Sequence, residues 1–249
     1  KILDYKSAEE KAEIPLMILT PTIINDQRAL VISASPASYL CYPYTGSNKG
    51  YFNYLMPDGV EFMRFFKDGG ASNIDLASAV RLNATYPYIL PAAYLPTKPE
   101  MKIMDAGLKD NHGFGMSTRF INVFRRWIEK NTSGIIFIQI RSDKKLKKMD
   151  EKEEKSTFIE EMLLPFGNIY SNFLTQQDYS NDYLIAQLAN SLKVPVHVIP
   201  FIYLPQVENK EASMTFHLTK NEKSDIVNAY DNEFNQYMEA KLKKLLKVK

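Results

Sequence analysis

Short apolar runs separated by amphipathic stretches constrain this chain more than any other feature. "IPLMILTPTII" (Ile14–Ile24) is almost continuously apolar, is entered through Pro15 and carries several β-branched residues. That length and content predict a strand buried on both faces. "INDQRALVIS" predicts a turn at Asn25–Asp26 and a returning strand over Ala29–Ser33. "MKIMDAG" predicts a short strand ending at Asp105. "GIIFIQIR" (Gly134–Arg141) is the clearest buried strand, and "VPVHVIPFIYL" predicts another.

Helical patterns lie between these runs. Ser72–Pro87 is bounded by Ser72 or Asn73 as cap and by Pro87 and Pro91, with Asp75 in the positive first turn. Ser117–Asn131 places Phe120, Val123, Phe124, Trp127 and Ile128 on one face. "FIEEMLLPFGNIYSNFL" and "DYLIAQLANSL" read as two further helices. A long C-terminal helix over residues 222–247 follows Thr219, an N-cap with Glu222 three residues on. Strands alternating with helices predict a layered α/β fold with a largely parallel sheet. The charged loop at 142–156 contains "DKKLKKMDEKEEK", which reads as a solvated excursion from the sheet edge.

Charge weighs against one broad class. With 31 basic and 29 acidic residues the formal net charge is +2, which gives no support for nucleic-acid binding. Cys41 is the only cysteine, so an internal disulfide and multi-cysteine zinc sites are excluded. A buried, inert thiol is favoured over pairing with a histidine. Asp105, Asp110 and His112 match no metal-ligand spacing, and neither a metal nor a cofactor is expected. No apolar run approaches the ~18 residues needed to span a bilayer. The expected location is cytoplasmic or peripheral at a membrane. Upstream membrane segments are compatible with a chain whose first residue is Lys1.

The residue that most invites a chemical reading is Asp105. It stands where a short apolar run meets the small residues of "DAGLKDNHGFG". A carboxylate there either closes a turn or faces a cleft. The aromatic-rich segment before it supplies candidate walls for an apolar pocket in Met56, Phe62, Met63, Phe65 and Phe66, which equally suit core cover. At the other end of the chain, "KLKKLLKVK" can attach to an anionic membrane surface. The stripe Ile226, Tyr230, Phe234, Met238, Leu242 and Leu245 favours a helix docked on the sheet instead.

Four segments resemble the patatin-like phospholipases in order and spacing, over most of residues 12–230. They are "IPLMILTPTIINDQRALVIS", "LASAVRLNATYPYILP", "MDAGLKDN" and "MTFHLTKNEKSDI". The resemblance implies a three-layer α/β/α sheet, incomplete here, with residues 1–249 as the C-terminal portion of one domain. It implies hydrolysis of lipid acyl esters by a Ser-Asp dyad, with Asp105 as the aspartate. Ala106, Gly107, Asn111 and Asn83 then stand in the surrounding motif, Asn111 and Asn83 as residues that orient the Asp105 loop.

Two features depart from the family pattern. No Gly-x-Ser-x-Gly elbow occurs, since "TGSNKG", "GGASNI" and "SASPAS" all have the wrong spacing. The nucleophile and the oxyanion loop are therefore expected upstream of Lys1. That makes a missing N-terminal half the first partner, with a lipid or acyl-ester substrate as the second. Alone, the chain is expected to be a very poor catalyst, because losing such a nucleophile costs on the order of a million-fold. Ala106 also replaces a glycine, at a cost of ~1–2 kcal/mol if its φ is positive. A non-catalytic binding or scaffold module on the same fold is the alternative.

Overall fold

The structure, a computed structural model, describes residues 1–43, 56–85, 92–95, 97, 100–142, 145, 158–207, 212–213 and 217–247, with backbone only for 158–171. Two compact units are present, Lys1–Arg125 and Arg126–Lys249. The fold is mixed α/β, and the sheet of the first unit is curled and mainly antiparallel.

In the first unit β1 (Ile18–Leu19), β2 (Thr22–Ile23) and β3 (Ala29–Ser33) form one hairpin. The pairs Ile18 with Ser33, Leu19 with Ile32 and Thr22 with Ala29 share a single register, so β1 and β2 are one interrupted strand. The interruption is at Thr20–Pro21. Pro21 has no N–H to give, and the Thr20 N–H goes to Asn83 Oδ1 at 2.8 Å. The hairpin turns through Gln27 at φ 61, and the returning strand has the predicted bounds. The expectation of a single buried strand over Ile14–Ile24 is corrected, because Ile14 and Leu16 are exposed and pairing begins only at Ile18.

β3 is buried throughout and lies between this strand and β4 (Gly59–Glu61), its parallel neighbour. β6 (Met101–Met104) pairs antiparallel with β2, and β5 (Ala93–Leu95) pairs antiparallel with β6. A largely parallel sheet is thus not found in this unit. The connection from Ile23 to Ala29 is too short for a crossover and forces a hairpin. Ile23, Leu30, Ile32, Val60, Phe62 and Ile103 make the core. Three helices flank it: α1 (Lys6–Glu10), α2 (Phe62–Phe65) and α3 (Leu76–Asn83). The start of α3 is later than predicted because Asp75 is the cap, its carboxylate taking the Ser78 N–H at 2.7 Å. Pro87 and Pro91 lie outside the described residues.

Past the loop that holds α4 (Gly107–Asp110), α5 runs over Phe114–Asn131. It begins one turn earlier than predicted, and Trp127 and Phe124 of its expected inward face are exposed.

In the second unit β7 (Ile135–Arg141) and β8 (Val196–Ile202) are parallel, joined through α6 (Phe158–Ser191). Here the prediction of a buried β7 fails in an informative way. Ile138 and Ile140 are 56% and 81% exposed, while Gln139 and Arg141 point inward. The inward face is polar because Arg141 makes a bidentate pair with Asp178 of α6 at 2.8 and 2.7 Å. The two helices expected over α6 are one, since "TQQDYSN" between them contains no glycine or proline to stop it. The charged loop at 142–156 lies almost wholly outside the described residues, although Lys145 reaches Asp182.

The long C-terminal helix is instead α7 (Lys220–Asn228) and α8 (Glu233–Leu246). Asn232, extended at φ −67 and ψ 152, divides them. Its side chain takes the Asn235 N–H and donates to the Ala229 carbonyl, the preference of asparagine for a cap over a helix interior. At the start of α7, Thr219 and Glu222 form the predicted capping box.

Candidate functional site

β6 delivers Asp105 to the mouth of a tightly braced loop. Its N–H donates to the Thr85 carbonyl at 2.9 Å, and its own carbonyl accepts the Thr22 hydroxyl at 2.9 Å. The next N–H, that of Ala106, reaches the Asn83 carbonyl at 3.2 Å. Three bonds from two directions therefore fix the backbone from which the carboxylate projects. Asn83 stands beside Asp105 as the sequence suggested, but it works through its main chain; its side chain holds Thr20.

The Asp105 carboxylate is half-buried, and Oδ1 accepts the Gly107 N–H at 2.6 Å. Among the described residues the other oxygen has no hydrogen-bond donor, and the group has no ion pair. Burial raises its pKa above the ordinary carboxylate range, against the smaller opposing effect of the Gly107 N–H.

Ala106 adopts φ −60 and ψ −30, so the strain expected of an alanine at that position does not arise. Gly107 is required for lack of space. A Cβ there would meet Asp105 Oδ1 at 2.6 Å and Asn111 Oδ1 at 2.7 Å. Asp105 and Asn111 thus converge on one glycine, six residues apart in sequence but packed around the same point.

Asp110, weighed in the sequence only as a metal ligand, has a structural role. It accepts the Met116 N–H at 3.0 Å and also bonds the N–H groups of Gly115 and Phe114, fastening the first turn of α5. Burial raises this carboxyl as well, with the three N–H groups acting in the opposite direction. An acid four residues before the helix, next to Gly113 at φ 68, was the readable signal.

The candidate pocket residues separate into two groups. Phe62 is in the core, with Met63 and Phe66 packed against it, while Met56 and Phe65 are 81% and 65% exposed. Carboxylate–hydroxyl pairs occur elsewhere, as Glu9 with Ser35 at 3.1 Å and Glu61 with Ser38. Each of those carboxylates also takes a backbone N–H, from Met17 and Ala37, which marks them as braces for turns. Cys41 is buried, and burial with the nearby Glu61 carboxylate pushes its thiol up to about 11, so it stays protonated. Among the described residues no group of three or more histidine, cysteine or acidic side chains could hold a metal ion. No helix among them is long and apolar enough to cross a membrane.

No protein-family model, no curated protein and no solved structure matches this chain.

Proposed function

We propose that Asp105 is the general base of a lipid acyl-ester hydrolase, within a three-layer α/β/α domain to which these 249 residues contribute. The single observation that carries the reading is the carboxylate itself: braced at a strand end, half-buried, without an ion pair among the described residues, and raised in proton affinity by burial. A hydroxyl placed against its open oxygen would pass its proton to Asp105 while attacking the ester carbonyl. Backbone N–H groups would hold the oxyanion; as it collapses, Asp105 would return the proton to the departing alcohol, and the regenerated carboxylate would then take a proton from water to release the acyl group as its acid. No described hydroxyl donates to the Asp105 carboxylate, and no Gly-x-Ser-x-Gly elbow occurs in these 249 residues, so this reading assigns the nucleophile to polypeptide outside them.

The second reading, a scaffold or binding module, is favoured by one contact. The Gly107 N–H bond to Oδ1 makes Asp105 a competent turn-former without any chemistry. One experiment separates the two. The chain is produced together with the adjoining polypeptide of its gene, and hydrolysis of a p-nitrophenyl butyrate ester is followed. Asp105→Asn is expected to lower turnover by about 10²–10⁴-fold with a melting midpoint no lower than the parent's. Undiminished turnover removes Asp105 from the chemistry, and absence of turnover in the parent protein favours the module.

A further inference from the structure

The rotation of α8 about its axis is set by one buried side chain. Asn235 accepts the Ile202 N–H at 2.9 Å and donates to the Ile202 carbonyl at 2.9 Å, so its amide pairs with the end of β8 as another strand would. A further bond to the Ala229 carbonyl at 3.0 Å completes the anchor. With Asn235 turned inward, Phe234, Tyr237, Lys241 and Lys244 recur at spacings of three, four and three along the other side of the helix. Phe234 and Tyr237 are 36% and 65% exposed, and both lysines are exposed.

Glu233 is exposed one turn before Tyr237, and past Glu239 the charge on this face is unbalanced. Lys243 is neutralised by Glu239 at 2.6 Å, but Lys241, Lys244 and Lys247 have no ion pair among the described residues. No acidic residue follows Glu239 in the sequence. Unpaired lysines beside amphipathic aromatics are the chemistry of an interfacial helix: the rings suit the headgroup layer, and the ammonium groups suit anionic lipid phosphates. An extended nucleic acid would leave the apolar half of the face without a role, and a formal net charge of only +2 gives it no support.

We propose that this face of α8 docks on an anionic membrane surface. The inference stands apart from the chemistry assigned to Asp105, and its test involves no turnover. The 249-residue chain is floated with vesicles of phosphatidylcholine alone, or with about three parts in ten of phosphatidylserine, at low and at high salt. Binding to the anionic vesicles only, weakened by salt, is the expected result. Lys241→Gln with Lys244→Gln should weaken it by about 25-fold, at roughly fivefold for each lysine near the surface. Tyr237→Ser should weaken it further, and neither variant should move the melting midpoint. Equal partition into neutral vesicles, no binding to either, an unchanged lysine variant, or tighter retention on heparin than on vesicles would each overturn the proposal.

Discussion

Asp178→Ala is the perturbation that most directly tests why β7 turns its isoleucines outward. Arg141 and Asp178 hold each other through two hydrogen bonds of 2.8 and 2.7 Å, with their side chains only 3% and 12% exposed. Two unit charges ~4 Å apart attract by about 4 kcal/mol at an effective dielectric near 20. Removing one partner also strands the other charge out of water. The second unit should therefore lose about 3–5 kcal/mol. Hydrogen exchange at the β7 and β8 amides reads that unit separately from the first, with urea unfolding as a check on the whole chain. Replacing both residues by leucine removes both charges together and should cost far less, or stabilise. A single variant within about 1 kcal/mol of the parent would refute the argument, because the ion pair would then not be what selects the inward face.

Other outcomes follow from the Asp105 loop and the α7 clasp. Between the ordinary carboxylate pKa and its raised folded value, Asp105 binds more protons folded than unfolded, so its contribution to stability falls as pH rises through that window. Asp105→Asn should then melt higher than the parent at neutral pH and gain nothing in acid; a gain that persists unchanged in acid would contradict the assigned cause. Gly107→Ala forces a Cβ against two side-chain oxygens and should cost about 1–3 kcal/mol in urea unfolding, whereas a neutral outcome would show that Asp105 and Asn111 are not locked around it. Glu222 accepts hydrogen bonds from the side chain and N–H of Ser213 and from the Thr219 N–H, which lower its carboxyl to about 2. The clasp it makes on the preceding loop should persist through mild acid and be lost only as pH falls through about 2. Carboxyl NMR titration reads this directly, and an ordinary midpoint would mean the clasp does not form in solution.

Much of the local structure was legible in the residues. The hairpin strand Ala29–Ser33, the end of β6 immediately before Asp105 and the Thr219–Glu222 box all rest on interactions within a few positions, where turn and cap chemistry is specific. Asp105 and Asn111 pack around one glycine because they share one short loop. The direction of strand pairing was not legible, because apolar content fits a parallel or an antiparallel neighbour equally well. The sides of β7 were also unreadable: "IIFIQIR" alternates weakly, and the choice came from Asp178, thirty-seven positions further along. Asn235 is a similar case, a polar residue in a helix whose inward turn is explained only by the open backbone of Ile202.

Residue order alone thus determined where elements start and stop and which loop carries a carboxylate out of the sheet, since these depend on neighbours along the chain. Tertiary structure decided which face of each element is inward, what braces Asp105 and which lysines of α8 lack an ion pair among the described residues. Those outcomes depend on partners brought together by packing, whose energies exceed any local preference.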